Sequence, residues 1–196
     1  MPFQGQSNVP LPPGSKWVPL TDGLIESNRE EWIRLIDGFD PGPSEAGRTA
    51  VEWLRNAVFS ETIALDTQVL RTSHELLGFY SVEHALVDLT PRNWPLLELR
   101  RKLFGQQPEP QPGLIIASIV RSHSMPAGFG RNLVNHVIGL ALSNPEIVAL
   151  FVSPANPKVA QLWQERYSFR IEHKADPSTH EMLWLPVNPA PEAQWP

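Results

Sequence analysis

From residue 114 onward, apolar strand-like segments alternate with helix-patterned ones, and that alternation leaves few folds open. Leu114–Val120 is apolar and β-branched, the pattern of a buried strand. Gly128–Leu142 follows as a helix, with Leu133, Val134, Val137, Ile138 and Ala141 on one face and Asn144-Pro145 as its stop. Ile147–Val152 reads as a second buried strand. Pro157–Tyr167 reads as a short helix with Pro157 at its first position. Phe169–His173 and Glu181–Val187 close the chain as strands. This order predicts an α/β core built on a mixed sheet, with at least one parallel crossover.

The first half is less regular. Lys16–Leu20 reads as a first strand and Glu30–Ile36 as a helix. Ser44 is placed to cap a helix over Glu45–Phe59, whose Val51, Leu54 and Val58 form one stripe. Ile63–Leu70 and Leu76–Leu86 read as two strands, and Leu96–Phe104 as a further helix. Twenty-one prolines punctuate the chain. They mark an arm over residues 1–15, a tail over residues 189–196 and an internal loop over Gln106–Gly113, because proline fixes φ and removes a donor. The folded domain is therefore expected over residues 16–188.

Composition narrows the chemistry. The chain has no cysteine, which excludes disulfides, thiolate catalysis and cysteine-ligated metals. No cluster of metal ligands is recognisable, so no metal is expected. A net charge of −5 argues against broad non-specific binding to nucleic acid. No run reaches the roughly 18 apolar residues of a membrane span, and the N-terminus does not read as a signal peptide. The expected location is the cytoplasm.

The chemistry-bearing stretch is Ile115-Ile-Ala-Ser-Ile-Val-Arg-Ser-His-Ser-Met-Pro-Ala-Gly-Phe-Gly-Arg131, which runs straight into the helix. A buried strand ends in a glycine-bearing turn and a helix begins there. The first turn of a helix leaves amides unpaired, its dipole is positive at that end, and glycine admits a ligand close to the backbone. The outcome is an anion site suited to a phosphate or diphosphate. The same glycines also serve simply to tighten a strand-to-helix turn.

Three fragments, in order and at the right spacing, resemble the GCN5-related N-acetyltransferases (GNATs). Met125-Pro126-Ala127-Gly128-Phe129-Gly130 is similar to that family's Gln/Arg-x-x-Gly-x-Gly/Ala loop. Val148-Ala-Leu-Phe-Val-Ser-Pro-Ala-Asn156 resembles its next strand, which ends in asparagine. Ala160-Gln-Leu-Trp-Gln-Glu-Arg-Tyr-Ser-Phe169 resembles its following helix. The resemblance implies an acyl-CoA N-acyltransferase fold, a splayed mixed sheet flanked by helices, with acetyl-CoA or another acyl-CoA lying between two strands. It implies that pantetheine pairs with the backbone of Ile119, Val120 and Arg121. The diphosphate would lie on the amides from Met125 to Arg131, with Asn156 also at the cofactor. Transfer in this family is direct, with no covalent enzyme intermediate and no metal.

Three positions depart from the family pattern. Met125 stands where Gln or Arg is usual, and Pro126 has no N–H to donate. The tyrosine that often protonates the leaving thiolate falls on Gln164, leaving Tyr167 as the acid candidate, with a core position as its alternative. Ser168 stands where glycine is common. The general-base candidates are Glu83 and His123, with His84 beside the first. Alternation puts Ser81 and Glu83 on one face of their strand, and Val82 and His84 on the other. His123 follows the cofactor strand and has a suitable unperturbed pKa, near 6.5. His74, His136, His173 and His180 read as structural or surface residues.

The acceptor is an amine on a small molecule or a protein. Upstream words, Phe39-Asp-Pro-Gly42, Val51-Glu-Trp-Leu-Arg-Asn56 and Leu76-Leu-Gly-Phe-Tyr-Ser-Val82, resemble a GNAT branch of toxins. Those toxins acetylate aminoacyl-tRNA and are held by an antitoxin. Arg100-Arg101-Lys102 is the one basic cluster such a partner would use. A third reading is a degenerate GNAT-fold interaction module. No membrane partner is expected, and a homodimer stays open.

Overall fold

The sheet begins directly after the arm. β1 (Lys16–Leu20) pairs antiparallel with β2 (Asp66–Arg71), and β2 pairs antiparallel with β3 (Leu76–Val87). β4 (Gln111–Arg121), β5 (Ala149–Val152), β6 (Arg170–Ile171) and β7 (Leu183–Pro186) complete seven strands in the order β1-β2-β3-β4-β5-β7-β6. The helices are α1 (Asp22–Ser27), α2 (Arg29–Asp37), α3 (Glu45–Ser60), α4 (Gly130–Ser143) and α5 (Pro157–Tyr167). This computed structural model describes residues 9–87, 111–171 and 182–188. The expected helix over Leu96–Phe104, the cluster Arg100-Arg101-Lys102, His173, His180 and the C-terminal tail lie outside them. β4 and β5 are sheet neighbours joined through α4, the kind of crossover that a parallel pair requires. This is the mixed sheet with flanking helices that the alternation predicts.

The described residues form two compact units. One takes residues 9–83 and 116–139, and the other takes the remainder. In the first unit β2 and β3 are covered on both faces, so successive residues on opposite faces are both buried. Val69 and Phe79 join Leu20, Trp32, Leu35, Leu54 and Val58 in a core under α2 and α3. Leu70 and Leu77 join Phe129 and Leu133 at the start of α4 on the other side. Such double burial explains why these strands read as continuous apolar runs. Ser44 caps α3 as expected, accepting from the Gly47 amide at 3.3 Å.

Two sequence readings change. α1 is a helix that periodicity does not show; its six residues carry a Thr21 cap whose Oγ1 accepts from the Leu24 amide at 3.3 Å. Gln111-Pro-Gly113, read as loop, belongs to β4, and the Pro112 carbonyl accepts from the Val148 amide at 2.9 Å. Exposure along β3 also changes after Val82. Ser81 and Val82 are both buried, whereas Glu83 and His84 are both exposed. β3 is covered on both faces as far as Val82, and alternation cannot sort residues where both faces are covered.

In the second unit, β7 pairs antiparallel with both β5 and β6. The Asn188 amide donates to the carbonyls of Ala141, Asn144 and Ile147 at 3.1, 2.9 and 3.0 Å. One side chain thereby satisfies three carbonyls where α4 ends and the chain turns toward β5.

Candidate functional site: the Gly128 turn and its neighbours

β4 buries Leu114, Ile116 and Val120 and ends at Arg121, where the chain is pinned several times over. The Ser122 amide donates to the Leu77 carbonyl at 2.9 Å, and the His123 amide donates to the Asp40 carbonyl at 2.7 Å. Arg121 Nη1 donates to the carbonyls of Ser122 at 3.0 Å and Met125 at 2.8 Å. Ser122 and Ser124 share a hydroxyl hydrogen bond of 2.7 Å, and the Ser124 hydroxyl donates to Glu75 Oε1 at 3.2 Å. Arg121 is therefore a clasp on the loop's own carbonyls. Its charge sits beside the turn, and among the described residues no carboxylate pairs with it.

Beyond Met125 the chain enters α4 through tight turns. The Phe129, Arg131 and Asn132 amides donate three residues back, to Pro126, Gly128 and Phe129. The Met125 amide donates to Ser122, and Pro126 has no proton to give. Among the described residues, nothing accepts from the amides of Ala127, Gly128 or Gly130. The cradle expected across Met125–Arg131 thus offers three free amides at a helix start. Gly128 has φ +90°, a conformation that L side chains rarely adopt, so glycine is required there with or without a ligand. Phe129 is fully buried and anchors the turn, and Met125 packs against the same cluster with Ile119. Arg131 Nε and Asn132 Oδ1 are buried without a hydrogen-bond partner. Free amides, a helix dipole and a nearby guanidinium suit a phosphate group, so the donor set fits the diphosphate end of an acyl-CoA.

His123 is exposed, with its ring over the turn before α3. Gly42 has φ +75°, and a Cβ there would come within 2.9 Å of His123 Nδ1, so only glycine lets the two segments meet. The sequence reading picked His123 but missed Asp40 and Gly42 as its support. Their signal was present in Asp40-Pro-Gly, a turn sequence whose Asp40 Oδ1 accepts from the Gly42 amide at 2.7 Å. Glu83 is an exposed side chain on β3.

In the second unit, α5 carries two further candidates. Asn156 caps this helix, its Oδ1 accepting from the Val159 amide at 3.0 Å. Tyr167 is its last residue and is buried against Trp163, ring centroids 5.4 Å apart. Eleven helical residues place the two roughly 16 Å apart, so one small ligand group does not touch both. Gln164 donates along its own helix to the Ala160 carbonyl at 3.4 Å. Ser168 ends the helix at φ +59°, the left-handed conformation that explains why glycine suits this position.

Elsewhere in the first unit, His136 stacks on Trp17 with centroids 3.7 Å apart and shares a 2.9 Å hydrogen bond with the Tyr80 hydroxyl. Burial pushes the Tyr80 hydroxyl up and the His136 ring down from their usual pKa ranges. Three arginines on and around α2 and α3 are paired with carboxylates: Arg29 with Glu61, Arg55 with Asp37, and the buried Arg71 with Glu31; Arg48 donates instead to the Pro43 carbonyl at 2.9 Å. Among the described residues there is no group of three potential metal ligands and no helix long and apolar enough to cross a membrane.

No family model matches the sequence, and no curated protein matches it. Solved structures do match the fold. AtaT complexed with acetyl-methionyl-tRNAfMet aligns with a TM-score of 0.62 at 17% identity, over 88% of this chain and 94% of that one. A tyrosine-to-phenylalanine mutant of the toxin AtaT, bound to the C-terminus of the antitoxin AtaR and acetyl-CoA, aligns with a TM-score of 0.58 at 16% identity, over 88% and 93%. A mutant of KacT with the same type of change aligns with a TM-score of 0.61 at 20% identity, over 89% and 95%. The chain has the GCN5-related N-acetyltransferase fold, in the form taken by AtaT and KacT.

Proposed function

We propose that this chain is an acetyl-CoA-dependent N-acetyltransferase of the toxin type, whose acceptor is the amino group of an aminoacyl-tRNA and whose partner is an antitoxin. The observation that carries the transferase reading is the turn at Gly128, with three free amides at the start of α4 on this fold. The acceptor reading draws on a neighbour that holds acetyl-methionyl-tRNAfMet, and the partner reading on one that holds AtaR.

Acetyl-CoA supplies an activated thioester. The chain's part is to bind, orient and move one proton. The amides of Ala127, Gly128 and Gly130 hold the diphosphate, and Arg121 fixes the loop that presents them. The backbone of Ile119–Arg121 aligns the pantetheine arm. An exposed group, Glu83 or His123, takes the proton from the acceptor ammonium. The amine nitrogen then forms its bond to the acetyl carbon as the carbon–sulfur bond breaks. Gln164 cannot protonate the departing thiolate, and Tyr167 is buried in the aromatic cluster of α5, so solvent water supplies that proton.

A second reading is favoured by charge. The net charge is −5, and three of the arginines around α2 and α3, Arg29, Arg55 and Arg71, are tied to carboxylates. Both features suit a small amine better than a polyanion. Transfer of labelled acetyl from acetyl-CoA tests the two together, with charged tRNA and a panel of polyamines and amino sugars as acceptors. Label on charged tRNA that is lost in Glu83→Gln or in His123→Gln supports the first reading and identifies the base. Label confined to small amines selects the second, and no label on any acceptor removes the transferase assignment.

A further inference from the structure

The described part of the proline-rich arm, residues 9–15, takes no part in the sheet, yet Val9 reaches the Gly128 turn. Asn132 Nδ2, on the first turns of α4, donates to the Val9 carbonyl at 2.8 Å across 123 residues of sequence. Asn132 is only 7% exposed, so its amide is aimed and held. Val9 packs on the cluster of Leu70, Leu77, Phe129 and Leu133. Its Cγ2 lies 3.4 Å from where a Cβ of Gly128 would stand. Val9 therefore covers the face that glycine leaves open.

The rest of the arm is lightly held. Pro10, Pro12 and Pro13 have no amide proton, and Leu11 is 42% exposed. The arm then folds back on itself, the Ser15 amide and hydroxyl both donating to the Pro12 carbonyl at 3.1 and 2.5 Å. Gly14, at φ +75°, makes the bend into β1. Among the described residues, one hydrogen bond and one apolar side chain seat the arm on the turn, an attachment that a ligand with several charged contacts outweighs.

We propose that the arm is an internal competitor for the Gly128 turn: Val9 occupies the face of Gly128 that a phosphate group must approach, and Asn132 latches it there until a diphosphate-bearing ligand displaces it. This rests on the acyl-CoA reading of the loop. With the arm released, the Asn132 amide becomes a donor for the incoming ligand's oxygen.

Two variants of the full chain weaken the latch from opposite sides. Val9→Ser removes the apolar anchor, and Asn132→Leu removes the hydrogen bond without touching the arm. Losing a competitor held at the scale of one hydrogen bond tightens acetyl-CoA binding about fivefold, read by calorimetric titration. The inference expects this in Val9→Ser. In Asn132→Leu it expects a smaller gain of about twofold, because that variant also lacks the donor. Methyl NMR of the wild-type chain reads the arm directly: saturating acetyl-CoA moves the Val9 methyl resonances to solvent-exposed positions. An affinity unchanged or weakened in Val9→Ser overturns the inference, as do Val9 methyls that stay buried while acetyl-CoA binds. Either result leaves the loop reading intact. A wild-type chain that does not bind acetyl-CoA at millimolar concentration overturns both.

Discussion

Arg121 Nη1 donates to the carbonyl of Met125 across 2.8 Å, so the last residue of β4 closes the loop that precedes α4. The same nitrogen holds the Ser122 carbonyl at 3.0 Å. Hydrogen bonds to a charged donor contribute about 1.5–3 kcal/mol. Removing them frees a loop whose amides must stay aligned for a phosphate. Arg121→Gln is expected to raise the Kd for acetyl-CoA about tenfold or more, with Arg121→Lys intermediate because it keeps the charge but not the fork. Equilibrium titration of the three proteins checks this order.

At Gly78, α4 packs tightly on β3 through Leu133. A Cβ there would stand 2.9 Å from the Val120 carbonyl oxygen and 3.0 Å from Leu133 Cδ1. The backbone oxygen cannot give way as a flexible side chain can. Gly78→Ala should therefore destabilise the fold by about 1–3 kcal/mol, the usual cost of overpacking, although alanine suits a strand better than glycine does. The urea midpoint at neutral pH measures it.

His136 is half-buried between Trp17 and the Tyr80 hydroxyl. Burial lowers its pKa below the usual 6.5. Below that value the unfolded chain binds a proton that the folded chain resists, so this group's contribution is present above pH 6.5 and is lost as pH falls. Asp66, which raises Tyr80, acts on the same cluster. His136→Gln should lower stability at pH 7.5 yet flatten its fall between pH 6.5 and 5. Thermal melts across that range test the slope.

How much of this was legible depended on whether the signal was local. α5 was bounded correctly over Pro157–Tyr167 because Asn156-Pro157 is a cap followed by a first-turn proline, and the structure shows that cap. The same fact supplies a structural reason for Asn156, which the family resemblance assigned to the cofactor. α1 was missed because six residues are too few for a helical period. Alternation puts Glu83 on the face of Ser81 but does not show that Ser81 is buried while Glu83 is exposed, because burial along β3 ends at Val82. The Gly128 turn was legible as a strand-to-helix glycine loop. Its Val9 neighbour was not, because no local pattern links residues separated by more than a hundred positions.

Ser168 ends α5 in the left-handed region at φ +59°, and the Phe169 amide reaches back to the Trp163 carbonyl at 3.3 Å. A non-glycine residue there costs roughly 1 kcal/mol. Ser168→Gly should stabilise the chain by about that amount, offset in part by the freedom it adds to the unfolded state. Chemical denaturation gives the difference; a loss of stability would mean that the serine side chain contributes more than its backbone costs.

The account turns on whether the start of α4 receives a diphosphate. Calorimetric titration of the intact wild-type chain with acetyl-CoA is the direct measurement, with Gly128→Asp alongside. The account predicts saturable one-site binding and, at a hundred times the Kd, a stabilisation of about 2.7 kcal/mol. It predicts neither effect in the folded Gly128→Asp protein, where a carboxylate meets the phosphates. Absence of binding by the wild-type chain, or equal affinity in Gly128→Asp, would contradict it.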